Sequence, residues 1–251
     1  MSEPVCQDCI SGVRHEGAPE GKIEQINGVE CYVATPKGEY PKDKVVLFLT
    51  DVFGLALVNN KLLADGFAQN GFKVIVPDIL IGDPISDAQL NDTTFDRVTW
   101  FSKHGDDSWT GVVDKIVEAL QASGVTRIAT TGYCFGAPPA FYLANKNVSH
   151  VTVVSHPSRL QVPADLEKYR DSSKAPLLIN SCEEDQQFPK ESQAISDELL
   201  GNGKFAPGYL RTYWDGCKHG FAVRGDMNDP KVKAGKEGSF KATVEFFRKY
   251  L

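Results

Sequence analysis

Seven short β-branched or apolar runs recur along the chain: Cys31–Thr35, Val45–Thr50, Lys73–Val76, Arg127–Thr131, Val151–Ser155, Pro176–Ser181 and Tyr209–Trp214. Helix-like segments separate them at Val58–Gln69, Trp109–Ala122, Ala137–Asn145, Lys190–Leu200 and Lys231–Tyr250. This alternation is the signature of an α/β fold, a mostly parallel central sheet with helices on both faces. Continuous apolar runs such as Val45–Leu49 suit strands buried on both faces. In Lys231–Tyr250, the residues Val232, Val244, Phe246 and Phe247 suggest a helix docking on the sheet.

No repeat, low-complexity tract or linker interrupts the pattern, so residues 1–251 are expected to form a single domain. The least regular stretch is Leu80–Asp107, rich in Asp, Gly and Thr. It reads equally as a cap over a site or as a long connection. A formal charge of −6 argues against a nucleic-acid partner, which needs clustered Lys and Arg. Met1–Glu20 lacks the apolar core of a secretory signal, and Val45–Val58 is broken by Thr50, Asp51 and Gly54, so no membrane span is expected. The chain therefore reads as cytoplasmic. Its six cysteines, Cys6, Cys9, Cys31, Cys134, Cys182 and Cys217, read as reduced thiols. Cys6 and Cys9 make a single CxxC, which no second pair completes as a zinc site.

Chemistry enters after the run Arg127–Thr131, where Gly132, Tyr133, Cys134, Phe135 and Gly136 form GxCxG ahead of the helix-like Ala137–Asn145. Between strand and helix, such a sharp turn lifts a nucleophile above the sheet. It needs small residues at both flanks so that the two elements can approach closely. The helix dipole and free amides at that position also favour a thiolate. Against this stands the blander reading of a buried cysteine acting as a small hydrophobe. Pro138 and Pro139 are compatible with a first helical turn.

A nucleophile elbow asks for an acid after a later strand and a histidine after the next, in that order. Pro176–Ser181 leads into Cys182, Glu183, Glu184 and Asp185; Tyr209–Trp214 leads into Asp215, Gly216, Cys217, Lys218 and His219. Among the five histidines His219 fits this order, with His156, in Ser155-His156-Pro157-Ser158, as its rival or as a loop anchor or pocket wall. The choice among the three carboxylates stays open on local sequence. For an oxyanion hole, Phe135 supplies one N–H and Val52, after the run Val45–Thr50, a second. Asp51 then falls near the sulfur, where an unpaired carboxylate opposes thiol ionisation; a turn or capping role fits it equally. Phe53, Phe135 and Phe221 are candidate apolar walls of the pocket.

These residues resemble the dienelactone hydrolase family of the α/β-hydrolase superfamily, in particular its fungal branch. The resemblance runs from Cys6 to the C-terminal helix. Its motifs are LTDVFG at Leu49–Gly54, VPDILIGD at Val76–Asp83, GYCFGA at Gly132–Ala137, SHPS at Ser155–Ser158, EEDQQFP at Glu183–Pro189 and HGFAVRGD at His219–Asp226. It implies an α/β-hydrolase fold and a triad of Cys134, Asp185 and His219 acting on small lactones or activated esters without metal or cofactor. Asp185 is selected by standing four residues before Pro189. The family position that holds the resting thiol neutral usually carries Glu and here is Asp51. Substrate-binding arginines of the bacterial type suggest Arg224 and, more weakly, Arg97. The remaining expectations are a monomer or weak homodimer with no membrane partner. A catalytically weak binding protein on the same scaffold and a thiol redox enzyme, with Cys182 or Cys217 resolving an oxidised Cys134, remain as alternatives.

Overall fold

The computed structural model describes residues 16–251, so Cys6 and Cys9 lie outside the described residues. Eight strands form one sheet: β1 (Lys22–Ile26), β2 (Val29–Ala34), β3 (Lys44–Leu49), β4 (Val74–Pro77), β5 (Arg127–Tyr133), β6 (Ser149–Ser155), β7 (Leu177–Glu184) and β8 (Tyr209–Lys218). Their spatial order is β1-β2-β4-β3-β5-β6-β7-β8. The hairpin β1–β2 and the pair β2–β4 are antiparallel, and every other pairing is parallel. The chain is an α/β-hydrolase-type fold with helices on both faces of the sheet.

Period-two side-chain geometry builds the two cores. On β3, Val45, Leu47 and Leu49 enter one apolar cluster, while Val46 and Phe48 enter the other. The first cluster packs under α4 (Asp106–Ala122), α5 (Ala137–Asn145), α6 (Ala164–Ser172) and α7 (Lys190–Leu200), through Trp109, Phe141, Tyr169 and Leu200. The second lies under α1 (Val58–Gln69), α8 (Phe221–Arg224) and α9 (Pro230–Tyr250). There Phe67 stacks on Phe240 at 4.7 Å and meets Phe247 at 5.8 Å, tying α1 to α9. Truncating a buried phenylalanine of this kind costs about 3–5 kcal/mol.

β1 was not expected from the sequence, because KIEQI is an edge strand with four of its five residues exposed and no apolar run. Its turn is formed by Asn27 and Gly28, both at positive φ (50° and 77°), as a tight hairpin requires. The helix expected from Trp109 starts at Asp106, one turn earlier. Leu80–Asp107 is neither structureless nor a plain connection: it contains α2 (Asp87–Asn91), capped by Ser86, and α3 (Arg97–Lys103), capped by Asp96. The expected loop residues Cys182, Glu183 and Glu184 belong to β7, and Asp215–Lys218 to β8. Cys182 and Cys217 are accordingly buried in strands, not displayed on loops.

From β3 the chain runs outward to β4 and then returns to β5 on the other side. The carboxyl ends of β3 and β5 thus flank the point where strand order reverses, the usual location of ligand crevices in open α/β sheets. Thr50, Asp51 and Val52 leave β3 there, and Cys134 leaves β5.

Candidate active site

Cys134 is a non-glycine residue at φ 50°, directly after β5 and at the start of a short 3-10 turn, Cys134–Gly136, that leads into α5. The left-handed backbone carries a steric cost that surrounding structure must hold. Both flanking glycines are required by contact. A Cβ on Gly132 would lie 2.3 Å from the Gly136 carbonyl oxygen, and one on Gly136 would lie 2.1 Å from that of Leu49. The turn is tied to the loop after β6, as Ser158 N–H donates to the Cys134 carbonyl at 3.1 Å. The thiol itself reaches Ser158 Oγ at 3.6 Å.

The three adjoining carboxylates have distinct partners. Glu183 accepts the backbone N–H of Gly216 at 2.8 Å, and Glu184 pairs with Lys218 at the surface. Asp185 is buried, and its Oδ1 lies 2.9 Å from His219 Nδ1. The same oxygen accepts the N–H groups of Gln187 (2.8 Å) and Phe188 (3.1 Å). Because its Nδ1 bonds this carboxylate, His219 presents Nε2 in the other direction, and that atom is buried without a conventional hydrogen bond. Burial pulls the proton affinity of the imidazole down, but the Asp185 hydrogen bond and the adjacent Cys134 outweigh it and raise the pKa to about 10.

His219 is placed by backbone constraints. Its N–H donates to the Glu184 carbonyl at 3.0 Å, and Gly220 turns the chain at φ 94° into α8. α8 is anchored at its last turn, where the Val223 carbonyl accepts from Asn59 Nδ2 (2.8 Å) and Lys236 Nζ (3.1 Å). Lys236 is buried, and that burial lowers its pKa to about 8.

Asp51 differs from the unpaired carboxylate considered above. It is fully buried, and its Oδ1 accepts from Phe53 N–H (3.2 Å) and Asn60 Nδ2 (3.0 Å). Its Oδ2 faces Arg224 Nε at 3.5 Å. Burial raises its pKa, while Asn60, Arg224 and Phe53 oppose the rise. The Arg224 guanidinium also lies over the Phe53 ring, 4.5 Å from its centroid.

A cavity of about 580 Å³ joins these groups, lined by Cys134 and His219 together with Val52, Ser158, Arg159, Gln187 and Arg224. The segment 80–107 contributes Ile85, Leu90, Arg97, Phe101 and Ser102 to its wall. Arg97, the weaker of the two arginine candidates, thus faces the cavity. Phe53, Phe135 and Phe221 do not line it. Phe53 lies beneath Arg224, Phe135 packs edge-on against Trp100, and Phe221 is buried against His156. The apolar wall comes instead from Val52, Ile85, Leu90 and Phe101.

Ser158 and Arg159 were not singled out from the sequence, although they follow β6 at the same carboxyl edge as Cys134. Arg159 stands at φ 62°, with its guanidinium 5.3 Å from the ring centroids of both Phe101 and Phe135. His156 is fully buried beside His219. Among the described residues, no group of three or more His, Cys, Asp or Glu comes together to hold a metal ion, and no helix is long and apolar enough to cross a membrane.

Residues 29–251 match the model of the dienelactone hydrolase family. The chain belongs to the dienelactone hydrolase family. Among relatives of this family member, Hydrolase pyvD of Aspergillus violaceofuscus is 33% identical over 255 residues, covering 100% of this chain and 98% of that protein. Hydrolase tropI of Talaromyces stipitatus is 32% identical over 264 residues, again covering 100% and 98%. A solved dienelactone hydrolase-like promiscuous phosphotriesterase from metagenomic libraries shares the fold with a TM-score of 0.68, at 19% identity, over 93% of this chain and 99% of that one. As a member of the dienelactone hydrolase family, the chain is an ester or lactone hydrolase.

Proposed function

We propose that this hydrolase cleaves small lactones or activated esters by acyl transfer through Cys134, with His219 as proton carrier and Asp185 as the acid that orients it. The observation that carries this reading is the pairing of His219 Nδ1 with buried Asp185 at 2.9 Å, in a ring that shares one cavity with Cys134. The Cys134 thiolate attacks the carbonyl carbon, and the N–H groups of Val52 and Phe135 hold the oxyanion. Collapse of the tetrahedral intermediate breaks the carbon–oxygen bond, and the imidazolium of His219 protonates the departing oxygen. Water then gives a proton to His219 and attacks the thioester; the thiolate leaves, and the product acid is released.

A thiolate is itself readily expelled, so the route suits good leaving groups such as an enol, and peptide amides are poor candidates. Three arginines, Arg97, Arg159 and Arg224, face the cavity. Its other charged neighbours, Asp51 and Asp185, already engage Arg224 and His219. An acidic lactone is the substrate class that this charge balance favours, and the modest cavity suits a small molecule.

The test compares the native chain with Cys134→Ala and His219→Ala on a chromogenic short-chain ester and an enol lactone. Loss of nearly all turnover in both variants is expected; undiminished turnover in both would refute the mechanism.

A further inference from the structure

His156 takes no part in the acyl-transfer scheme, yet it is held against its central base. It follows β6 at φ 39°, a left-handed backbone for a non-glycine residue, with its N–H fixed on the Asn180 carbonyl at 2.8 Å. Its ring is fully buried and stands nearly perpendicular to that of His219, with centroids 5.1 Å apart at 69°. On its other sides lie Phe221 at 5.6 Å and Tyr133 at 6.0 Å. Both ring nitrogens are buried without a hydrogen-bond partner. A phenyl ring would fill such an apolar slot without that desolvation penalty, so packing alone does not account for an imidazole here.

What distinguishes imidazole from phenyl is a lone pair and a permanent dipole, and both act on charge. His219 gains a positive charge each time it accepts a proton, and it lies in a site where burial opposes that charge. We propose that His156 is a positioning residue for His219: a neutral imidazole that braces the ring edge-to-face and favours its protonated form. This rests on the acyl-transfer reading given above. The ionisable groups around the pair are Tyr133 at the end of β5 and Cys134 after it, Cys182 on β7 and Asp185 after it, and Arg224 on α8 with Asp51 behind it. Burial, then the positive charges of His219 and Arg224, drive the pKa of His156 well below the ordinary histidine value. It therefore stays neutral while its neighbour cycles, which a polarisable brace requires.

Two measurements test this. In ring-¹⁵N NMR of the native protein, His156 should stay neutral throughout the titration of His219 while its ring shifts follow that titration. Ring shifts that ignore that titration would overturn the proposal, and this measurement needs no variant to fold. In the second, Cys134 alkylation by iodoacetamide is followed against pH for the native chain, His156→Phe and His156→Gln. The alkaline limb, where His219 loses its proton, should move down by about one pH unit in H156F, a tenfold change in that equilibrium. kcat should fall about tenfold, and the planar polar amide of H156Q should restore much of both. A folded H156F with unchanged kcat and an unchanged limb would show a filling role only and end the proposal. A native Cys134 alkylated no faster than a free thiol would instead defeat the acyl-transfer reading, leaving the NMR result to decide the coupling of the two rings.

Discussion

Asp185 meets His219 through a single carboxylate oxygen that also accepts two backbone N–H groups, from Gln187 and Phe188. The acid is therefore fixed by its own turn before it fixes the imidazole. Asp185→Asn keeps the shape but exchanges an obligate acceptor for a group that can donate, favouring the wrong tautomer of His219. The expected fall in kcat/KM is on the order of 10³–10⁴. Asp185→Ala should in addition lose about 1–3 kcal/mol of stability in urea, because the two N–H groups are left unpaired.

Stability should depend on alkaline pH in a way that two bases share, partly buried His219 and buried Lys236. His219 is raised to about 10, above the ordinary value of about 6.5. Its stabilising contribution is present in full below about pH 6.5 and is lost as pH rises through about 10. Lys236 is lowered to about 8, below the ordinary value of about 10.4. Between those values the unfolded chain binds the extra proton, so this group adds stability as pH rises. The slopes oppose each other between about pH 8 and 10. Urea titrations should find Lys236→Met losing stability across that window more steeply than the native chain.

Gly136→Ala tests the close approach at the cysteine turn. Its Cβ would fall 2.1 Å from the Leu49 carbonyl oxygen, against backbone that cannot swing aside as a side chain tip can. The variant should lose about 3 kcal/mol or more, at or beyond the upper end of ordinary overpacking. Thermal melts would register this, and a melting temperature equal to that of the native chain would contradict it.

Arg159→Ala should separate acidic from neutral substrates. Among the described residues its guanidinium makes one long hydrogen bond, to the His104 carbonyl at 3.4 Å, and no ion pair with a carboxylate. For a lactone bearing a carboxylate, KM should rise about tenfold, equivalent to about 1.4 kcal/mol of binding. Steady-state kinetics on an uncharged ester should show KM nearly unchanged.

Elements buried on both faces were legible in the sequence because their signal is local. The apolar runs of β3, β5, β6 and β7 and the glycines beside Cys134 follow from local patterning, whereas Asp185 stands out from Glu183 and Glu184 only through the family resemblance. Edges were less so. β1 carries no apolar run, although Asn27-Gly28 is a hairpin signal that alternating neighbours would have made plain. The paired state of Asp51 was hidden because Arg224 and Asn60 reach it from 173 and 9 residues away in sequence. The cavity wall was missed for a similar reason. Phenylalanines next to reactive residues in sequence point into the core, whereas Ile85, Leu90 and Phe101 come from a segment with no periodic pattern to read.

That segment divides the molecule's responsibilities. The groups of the proposed triad hang from the central sheet, where any shift in β5 or β7 disturbs a tightly packed interior. Much of the opposite wall is carried by two short helices outside that sheet, whose replacement would leave strand pairing untouched. The segment is nonetheless tied to the proposed oxyanion donors, since Ile85 N–H bonds the Val52 carbonyl at 2.9 Å and Trp100 packs on Phe135, so the variation it can carry lies in its exposed and cavity-facing residues.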